Sequence, residues 1–292
     1  MQPLTIKSAL HFSPLLPNLD REVLLSFVLQ KDRTFLLAHD DVRLTASELK
    51  RYQTFLRRRE QDEPIAYIIG EKEFYGRTFC VGPGVLIPRP ETEILVEHVV
   101  KQITTTLPSQ KKIAVIDVGT GTSAIITSVY LSLKEAHRKK IDWYALEKES
   151  AALRFARKNA KAHGVTDAIH FKKSDLLSAI EKKLLAYDEL FVIANLPYLS
   201  KVLYRSTEPN VKNFEPKSAL VSGSDGLVHY CRLMKELLRI RKHGENIHFS
   251  FEISPEQAIP CSKWISTIVA KESLRVIPDL AGKNRIVSGT LI

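Results

Sequence analysis

The chain has 292 residues, 44% hydrophobic and 26% charged with a net charge of +10, a composition typical of a globular protein with a substantial core. No apolar run approaches the length of a membrane span and the N-terminus lacks a secretion signal, so we expect a cytoplasmic protein that makes no contact with membranes. The three cysteines, at 80, 231 and 261, are too far apart to suggest a disulfide framework or a metal site.

The segment through residue 72 predicts a small helical domain. Asp20 can cap one helix, and Thr45 and Glu48 have capping-box spacing ahead of another, which Pro64 ends. Through Glu73 eleven basic residues balance eleven acidic ones, so the remaining 32 basic and 22 acidic residues carry the whole excess charge. Such a basic excess is expected for a protein that binds RNA or an acidic partner, and equally for one whose amphipathic helices expose basic residues to solvent. Whether the basic surface contacts RNA stays open.

Residues 73–90 predict a β-hairpin that links this domain to a larger one, because aromatic residues and glycines are interspersed there. The hairpin runs into a turn in which two prolines flank Arg89 and restrict its backbone. Such restriction helps to aim a side chain, although an ordinary helix start with acids in its first turn looks similar. We therefore predict a helical domain over 1–72, a hairpin linker over 73–90 and a main domain over 91–292.

The main domain predicts an α/β fold with a mostly parallel, doubly wound sheet. Buried strands are expected at residues 113–118, 142–147, 168–172, 189–194 and 246–252, with helical patterns between them. Two further strands, at 273–277 and 284–288, are close enough to pair antiparallel. A reversed terminal pair beside a parallel sheet is a feature of methyltransferases that depend on S-adenosylmethionine.

A glycine-rich turn follows the first strand of this domain and leads into a helix. It consists of Gly119, Thr120, Gly121, Thr122 and Ser123. Glycines let the backbone approach a ligand closely, and the start of the helix offers free N–H groups. The turn lacks both the full G-x-G-x-x-G pattern and the lysine of a P-loop, so a nucleoside without a pyrophosphate is the better inference.

Two acids follow the next strands. Glu147 ends the second strand of the domain, where a carboxylate can hold two ribose hydroxyls. Asp175 and Leu176 follow the third. Since ligands of open sheets bind beyond the carboxyl ends of parallel strands, we expect these residues to lie near the glycine-rich turn.

A polar tetrad, Asn195, Leu196, Pro197 and Tyr198, follows the fourth strand. The Asn195 side-chain oxygen and the Leu196 carbonyl can accept both hydrogens of a planar –NH2 group, with the ring of Tyr198 beside it. Pro197 holds Leu196 in an extended conformation. Taken alone, four such residues also fit a plain turn with a surface tyrosine, but the nucleoside pattern upstream favours a site.

The ordered series of motifs resembles the HemK/PrmC-like protein-(glutamine-N5) methyltransferases, which modify peptide-chain release factors. The resemblance covers nearly the whole chain and is carried by residues 63–64, 67–70, 73–76, 86–93, 117–121, 195–198, 214–216, 219–220, 225–227 and 279–285. It implies a monomeric enzyme with a Rossmann-like sheet, S-adenosyl-L-methionine as cofactor and the Gly-Gly-Gln loop of a release factor as substrate. No metal and no direct nucleic-acid binding are required.

The resemblance also implies roles for the residues already named. Gly119 to Ser123 would cradle the methionine end of the cofactor, Glu147 would hold its ribose, and Asp175 with Leu176 would border its adenine. Asn195 would also be a cofactor-binding residue. With the rest of the tetrad, it would also bind the glutamine amide as the catalytic group.

Two positions depart from the family pattern, since Leu196 replaces a proline and Ser123 replaces a common glycine. We expect the carbonyl of Leu196 to work as well on a looser backbone, and Leu196→Pro to be tolerated. The tetrad is also similar to that of rRNA adenine-N6 methyltransferases, but those enzymes usually carry their helical domain after the core. An rRNA adenine, a ribosomal-protein glutamine and a binding protein with an inactive methyltransferase fold remain the alternatives.

Overall fold

The computed structural model describes residues 4–106, 111–241, 246–269 and 271–291. The chain divides into two compact units. The first contains residues through Glu71 together with Glu208–Phe214, and the second contains Lys72–Thr207 and Glu215–Ile292.

Fourteen α-helices lie within the described residues. They are α1 (Ile6–Ala9), α2 (Asn18–Leu29), α3 (Arg33–Ala38), α4 (Ala46–Glu60), α5 (Ile65–Ile69), α6 (Glu93–Thr106), α7 (Ala124–Ser132), α8 (Glu135–Arg138), α9 (Ser150–Ala162), α10 (Glu181–Leu184), α11 (Lys201–Arg205), α12 (Pro209–Phe214), α13 (Val228–Arg241) and α14 (Ala258–Ile265). Single 3₁₀ turns occur at Pro90–Thr92, Lys217–Ala219, Pro255–Gln257 and Lys271–Ser273.

The strands of the described residues form a hairpin and a seven-stranded sheet. They are β1 (Glu71–Phe74), β2 (Arg77–Cys80), β3 (Ile113–Val118), β4 (Ile141–Glu147), β5 (Ile169–Lys173), β6 (Glu189–Ala194), β7 (Asn246–Glu252), β8 (Arg275–Pro278) and β9 (Asn284–Leu291). The hairpin pairs β1 with β2, so it starts two residues before the predicted linker and ends at Cys80.

Local capping explains how α4 begins, as predicted. Thr45 Oγ1 accepts the Glu48 N–H at 3.2 Å, and Glu48 Oε2 accepts the Thr45 N–H at 2.7 Å. Pro64 does not end this helix, which stops at Glu60; Pro64 instead precedes α5. The first compact unit, to which α4 belongs, has its own core, in which the side chains of Leu24, Leu25, Leu36, Tyr52 and Leu56 are buried.

The prediction that Asp20 caps a helix is wrong. Helix α2 begins at Asn18, directly after Pro17, so Asp20 lies inside the first turn. Its Oδ2 accepts a hydrogen bond from Arg59 Nε at 2.6 Å instead. The acid therefore connects α2 to α4, a pairing that depends on tertiary packing.

The large sheet has the strand order β5-β4-β3-β6-β7-β9-β8. Strands β3 to β7 are parallel, and β9 runs antiparallel to both β7 and β8. The α/β fold with a mostly parallel sheet and a reversed terminal pair is thus confirmed. The chain leaves β3 toward β4 on one side and returns to β6 on the other, which makes the β3–β6 boundary the topological switch point where such sheets bind ligands.

Both faces of the sheet are covered by apolar layers, as a parallel sheet requires. Alternate residues of β3 point to opposite layers, with Ala114, Ile116 and Val118 in one and Ile113 and Val115 in the other. Because both faces are packed in this way, the sheet is a rigid support for the residues at its carboxyl edge.

Candidate functional site

A cleft opens at the carboxyl edge of the sheet, over the switch point. Val118 pairs with Leu146 of β4 and with Ala194 of β6, so the residues that follow these three strands are neighbours. The cleft encloses about 1060 Å³ of empty space, including its open mouth. The predicted residues that line it are Gly119, Thr120, Gly121, Thr122, Glu147, Asp175, Leu176, Asn195, Leu196 and Pro197.

The backbone of the glycine-rich turn is held against β4. Gly119 and Thr120 both donate their N–H groups to the Leu146 carbonyl, at 2.8 and 2.9 Å. Gly119 has a φ of +74°, and a Cβ placed there would come within 2.8 Å of Leu196 Cδ2. The turn therefore needs glycine at 119 both for its conformation and for the close approach of Leu196.

Ser123 and Tyr198 do not line the cleft, unlike the other predicted site residues. Ser123 is fully buried with a φ of +64°, and its hydroxyl donates to the Ala156 carbonyl of α9 at 3.2 Å. The left-handed backbone turns this side chain into the protein. Its hydroxyl thus supports the turn by binding α9 and does not face the cleft.

The glycine-rich turn has a second support that the sequence did not reveal. Asn159 of α9 is fully buried, and its Nδ2 donates to the carbonyls of Thr122 and Cys80, each at 3.0 Å. Its Oδ1 accepts the Cys80 N–H at 2.7 Å. One amide thus joins the turn to β2. One feature of the sequence could have indicated this role. Asn159 is a polar residue on the otherwise apolar face of α9 that includes Ala156 and Ala160.

Two buried carboxyl groups lie under the turn. Glu147 accepts the N–H groups of Gly121 at 2.9 Å and Glu149 at 2.8 Å. Burial raises its pKa, and these hydrogen bonds oppose that effect. Asp117 is fully buried, and its Oδ2 accepts the Thr120 hydroxyl at 2.6 Å. Burial raises its pKa to about 7, against the lowering effect of that bond.

At the far side of the cleft, Leu176 has a φ of +52° and is held by Ser174, whose hydroxyl donates to the Leu176 carbonyl at 2.7 Å. Asp175 faces Lys148 at 3.3 Å and Arg232 at 3.1 Å. Partial burial raises the pKa of Asp175, but the hydrogen bonds and charges of the two cations lower it overall. This carboxylate is therefore ionised and partly open to solvent.

Hydrogen bonds from neighbouring residues hold Asn195 and Leu196 of the tetrad in place. Asn195 Nδ2 donates to Thr92 Oγ1 at 3.2 Å, and the Leu196 N–H donates to the Tyr230 hydroxyl at 3.1 Å. That hydroxyl has one proton and faces two acceptors, the Glu252 carbonyl and, at 3.5 Å, the Leu196 carbonyl. A carbonyl oxygen has two lone pairs, so Leu196 keeps at least one for a further donor. Leu196→Pro would remove the N–H that binds Tyr230, a loss that the sequence did not reveal.

Tyr198 is held through both its backbone and its side chain. Its carbonyl accepts Gln257 Nε2 at 2.8 Å, and its hydroxyl lies 3.5 Å from Glu252 Oε1. A Cβ at Gly226 would lie 2.0 Å from the Tyr198 carbonyl oxygen, so glycine is required there. Thr92, Tyr230, Glu252 and Gln257 are contacts of the tetrad to which sequence reasoning had assigned no role.

Arg89 lines the cleft, and its guanidinium forms an ion pair with Glu215. Glu215 is buried, and its second oxygen accepts the Ile87 N–H at 3.0 Å. The restricted backbone around Arg89 and this paired carboxylate together fix where its charge lies.

Comparison with known proteins agrees with this architecture. A family model described as the PrmC N-terminal domain matches residues 15–70, and one described as a methyltransferase domain matches residues 109–275. The release factor glutamine methyltransferase of Koribacter versatilis is 36% identical over 94% of this chain and 91% of its own length. The protein of that name from Bacillus cereus is 35% identical, over 91% of this chain and 90% of its own length. The chain belongs to the release factor glutamine methyltransferase family.

Family membership confirms the resemblance seen in the sequence, and it makes the chain an enzyme of the methyltransferase class. Solved structures extend the likeness in fold. The N-terminal domain of human METTL16 in complex with SAH has a TM-score of 0.51 at 18% identity, covering 96% of this chain and 95% of that one. The METTL16 catalytic domain in complex with an RNA hairpin has a TM-score of 0.54 at 19% identity, with coverages of 85% and 82%.

Two general properties of this family member follow from the described residues alone. Among them, no helix is both long and apolar enough to cross a membrane. Nor does any group of three or more His, Cys, Asp or Glu side chains in those ranges have the arrangement of a metal site.

Proposed function

We propose that the protein transfers a methyl group from S-adenosyl-L-methionine to the side-chain amide nitrogen of a glutamine in the Gly-Gly-Gln loop of a peptide-chain release factor. The observation that carries this proposal is the meeting of the glycine-rich turn, Glu147 and Asn195 around one cleft, in a chain of this family. Such a substrate places the enzyme in the cytoplasm, where it would act as a monomer on its protein partner.

The residues of the cleft fit the cofactor. Gly119 and Gly121 line the cleft without side chains, so a ligand can approach the backbone of the turn closely. Each oxygen of Glu147 accepts one N–H group and keeps a lone pair for a ribose hydroxyl. Asp175 and Leu176 border the opposite side, where the adenine would lie, and Thr120 and Thr122 would contact the methionine end. Ser123 would support this end from behind.

When bound, the cofactor supplies an electrophilic methyl group on a sulfonium sulfur. An amide nitrogen is a poor nucleophile because its lone pair is delocalised into the carbonyl. The Asn195 side-chain oxygen and the Leu196 carbonyl would accept its two hydrogens, orient the nitrogen and stabilise the positive charge that develops on it. The new N–C bond replaces the S–C bond, and the protonated amide, a strong acid, loses its proton to solvent.

The helical unit through residue 72 would be a docking module for the protein substrate. Its balanced charge and its separate core around Leu25 and Tyr52 set it apart from the basic remainder. A truncated protein that begins at Glu71 should keep its cofactor affinity and lose turnover on intact release factor. Full activity of the truncated protein on release factor would remove the basis for this role.

The acceptor is tested by incubating the enzyme with labelled cofactor and either purified release factor or unmodified small-subunit rRNA. We expect label on the glutamine of the Gly-Gly-Gln loop, located by mass spectrometry, and none when that glutamine is replaced by alanine. Asn195→Ala should abolish transfer and leave cofactor binding within about twofold, because its oxygen acts on the acceptor. Label on RNA adenine alone would overturn the proposal in favour of the adenine alternative, and label on a ribosomal-protein glutamine alone would replace the substrate.

A further inference from the structure

The carboxylate of Glu252 has no obvious structural reason to be charged. It stands at the end of β7 with a side chain that is 1% exposed, and its Oε2 has no hydrogen-bond partner among the described residues. The nearby Arg285 is already paired with Asp279, at 2.9 Å. A buried carboxylate without a cation of its own costs stability, and groups retained at such a cost concentrate at functional sites.

Glu252 faces the tetrad from the neighbouring strand. Ala194 of β6 pairs with Phe251 of β7, so Asn195 and Glu252 occupy equivalent positions on adjacent parallel strands. Burial raises the pKa of Glu252 to about 7, and Thr92, Arg285 and Asn195 act against that rise. The side chains of Thr92 and Asn195 therefore lie within reach of the carboxylate.

These contacts define a direction for the hydrogen bonds. Thr92 Oγ1 accepts from Asn195 Nδ2, so the hydroxyl proton of Thr92 remains available to the Glu252 carboxylate. In its ionised form the carboxylate can only accept, and that form orients the chain from Asn195 through Thr92 to Glu252. The backbone carbonyl of Glu252 also accepts from Tyr230, the residue that holds the Leu196 N–H. Residue 252 is thus linked to both proposed acceptors, to Asn195 through its carboxylate and to Leu196 through its backbone carbonyl.

The orientation matters because an asparagine amide is nearly symmetrical in shape. If it turns by 180°, its NH2 group replaces its oxygen and faces the donor hydrogens of the substrate amide. We propose that Glu252 is the positioning residue of the acceptor site, whose carboxylate, through Thr92, holds the Asn195 amide with its oxygen toward the cleft. This inference rests on the proposed two-acceptor recognition of a planar –NH2 group.

The first test is Glu252→Gln, which keeps the size of the side chain but introduces an NH2 donor. The introduced donor can reverse the chain through Thr92 and turn the Asn195 amide round. We expect kcat/KM for the protein acceptor to fall about 10- to 100-fold. The cofactor Kd should stay within about twofold, and the unfolding temperature should not fall, because a desolvated charge has been removed.

A matched control is Glu189→Gln. Glu189 is also a buried glutamate, but it lies at the opposite end of the sheet, at the start of β6. Its substitution can lower stability, since it binds Lys111, Asn246 and His248, but kcat/KM of the folded variant should be unchanged. If Glu189→Gln lowers kcat/KM as much as Glu252→Gln does, neutralising any buried acid lowers activity, and the inference is overturned.

The decisive test reverses the polarity of the whole chain. Asn195→Asp places a second carboxylate beside Glu252 and should be nearly inactive. Adding Glu252→Gln to it lets the introduced NH2 group donate through Thr92 to the introduced carboxylate, whose other oxygen can accept from the substrate. The double variant should be about tenfold more active than Asn195→Asp alone.

All variants are assayed on the acceptor that the unsubstituted enzyme methylates, so failure of that enzyme on release factor counts against the proposed function only. If the single variant Glu252→Gln keeps the original kcat/KM, Glu252 does not position the amide. The same conclusion follows if the double variant is no more active than Asn195→Asp alone. A purely structural role predicts a lower unfolding temperature and no rescue.

Discussion

Substitutions at Ser123 can measure the free energy of unfolding that is lost by having serine where the family commonly has glycine. Its φ of +64° is a conformation that a residue with a Cβ adopts at a cost of about 1 to 2 kcal/mol. Its hydroxyl recovers part of that cost by donating to the Ala156 carbonyl at 3.2 Å, a bond worth about 0.5 to 1.5 kcal/mol. The same hydroxyl accepts from Thr127 Oγ1 at 3.3 Å, and both variants below lose this contact equally. Ser123→Ala loses the bond and keeps the strain, so it should destabilise the protein by about 1 kcal/mol.

Ser123→Gly loses the same bond but relieves the strain. Against this gain, glycine increases the entropy of the unfolded chain by about 0.4 to 1 kcal/mol. We therefore expect the glycine variant to be within about 0.5 kcal/mol of the original protein and about 0.5 to 1 kcal/mol more stable than the alanine variant. Urea unfolding at 25 °C, with stability taken from the midpoint and slope, resolves this difference.

A matched control is provided by Lys158, which is exposed in the interior of α9. There Lys158→Gly should be less stable than Lys158→Ala by about 1 kcal/mol, the reverse of the order at Ser123, because an ordinary helical position favours alanine. Cofactor affinity of both Ser123 variants should change by less than about twofold, because the side chain points away from the cleft. An alanine variant at 123 as stable as the glycine variant would refute the argument from backbone strain.

Three further predictions concern groups under the glycine-rich turn. Glu147→Ala should weaken cofactor binding about tenfold or more, measured by calorimetry, because it removes the acceptor for the ribose hydroxyls. Asn159→Ala should lower the free energy of unfolding by about 2 to 4 kcal/mol in urea, because backbone groups of Cys80 and Thr122 lose their partner. The pKa of Asp117 is raised from 3.8 to about 7, so its stabilising effect is complete below pH 3.8 and is lost as the pH rises through 7. The stability of Asp117→Asn relative to the original protein should therefore rise between pH 4 and pH 8, by at most about 4 kcal/mol, followed by chemical denaturation at each pH.

Each of these has an outcome that contradicts it. Unchanged affinity in a folded Glu147→Ala variant would remove that residue from the cofactor site. A loss below about 0.5 kcal/mol for Asn159→Ala would mean that water replaces its hydrogen bonds. A difference between Asp117→Asn and the original protein that does not vary with pH would mean that Asp117 keeps an ordinary pKa in the fold.

The sequence alone determined the features that depend on neighbours along the chain. The capping box at Thr45, the buried strands that end near Glu147 and Asn195, and the reversed terminal pair were all predicted correctly. Each follows from residue types within a few positions of one another, which set periodicity, caps and turns. Parallel strands with intervening helices then bring the strand ends to one edge, so the location of the cleft was also predictable.

The tertiary structure alone decided which distant side chains meet. Arg89 and Glu215 are 126 residues apart in the chain, and Asn159 and Cys80 are 79 apart. Asn195 and Glu252 became neighbours only because β7 packs beside β6, an order that no local pattern encodes. Asp20 was misassigned for the same reason, since its partner Arg59 lies on another helix. Strand order and helix packing arise from the burial of apolar faces over the whole domain, and the polar pairs form where that packing places them.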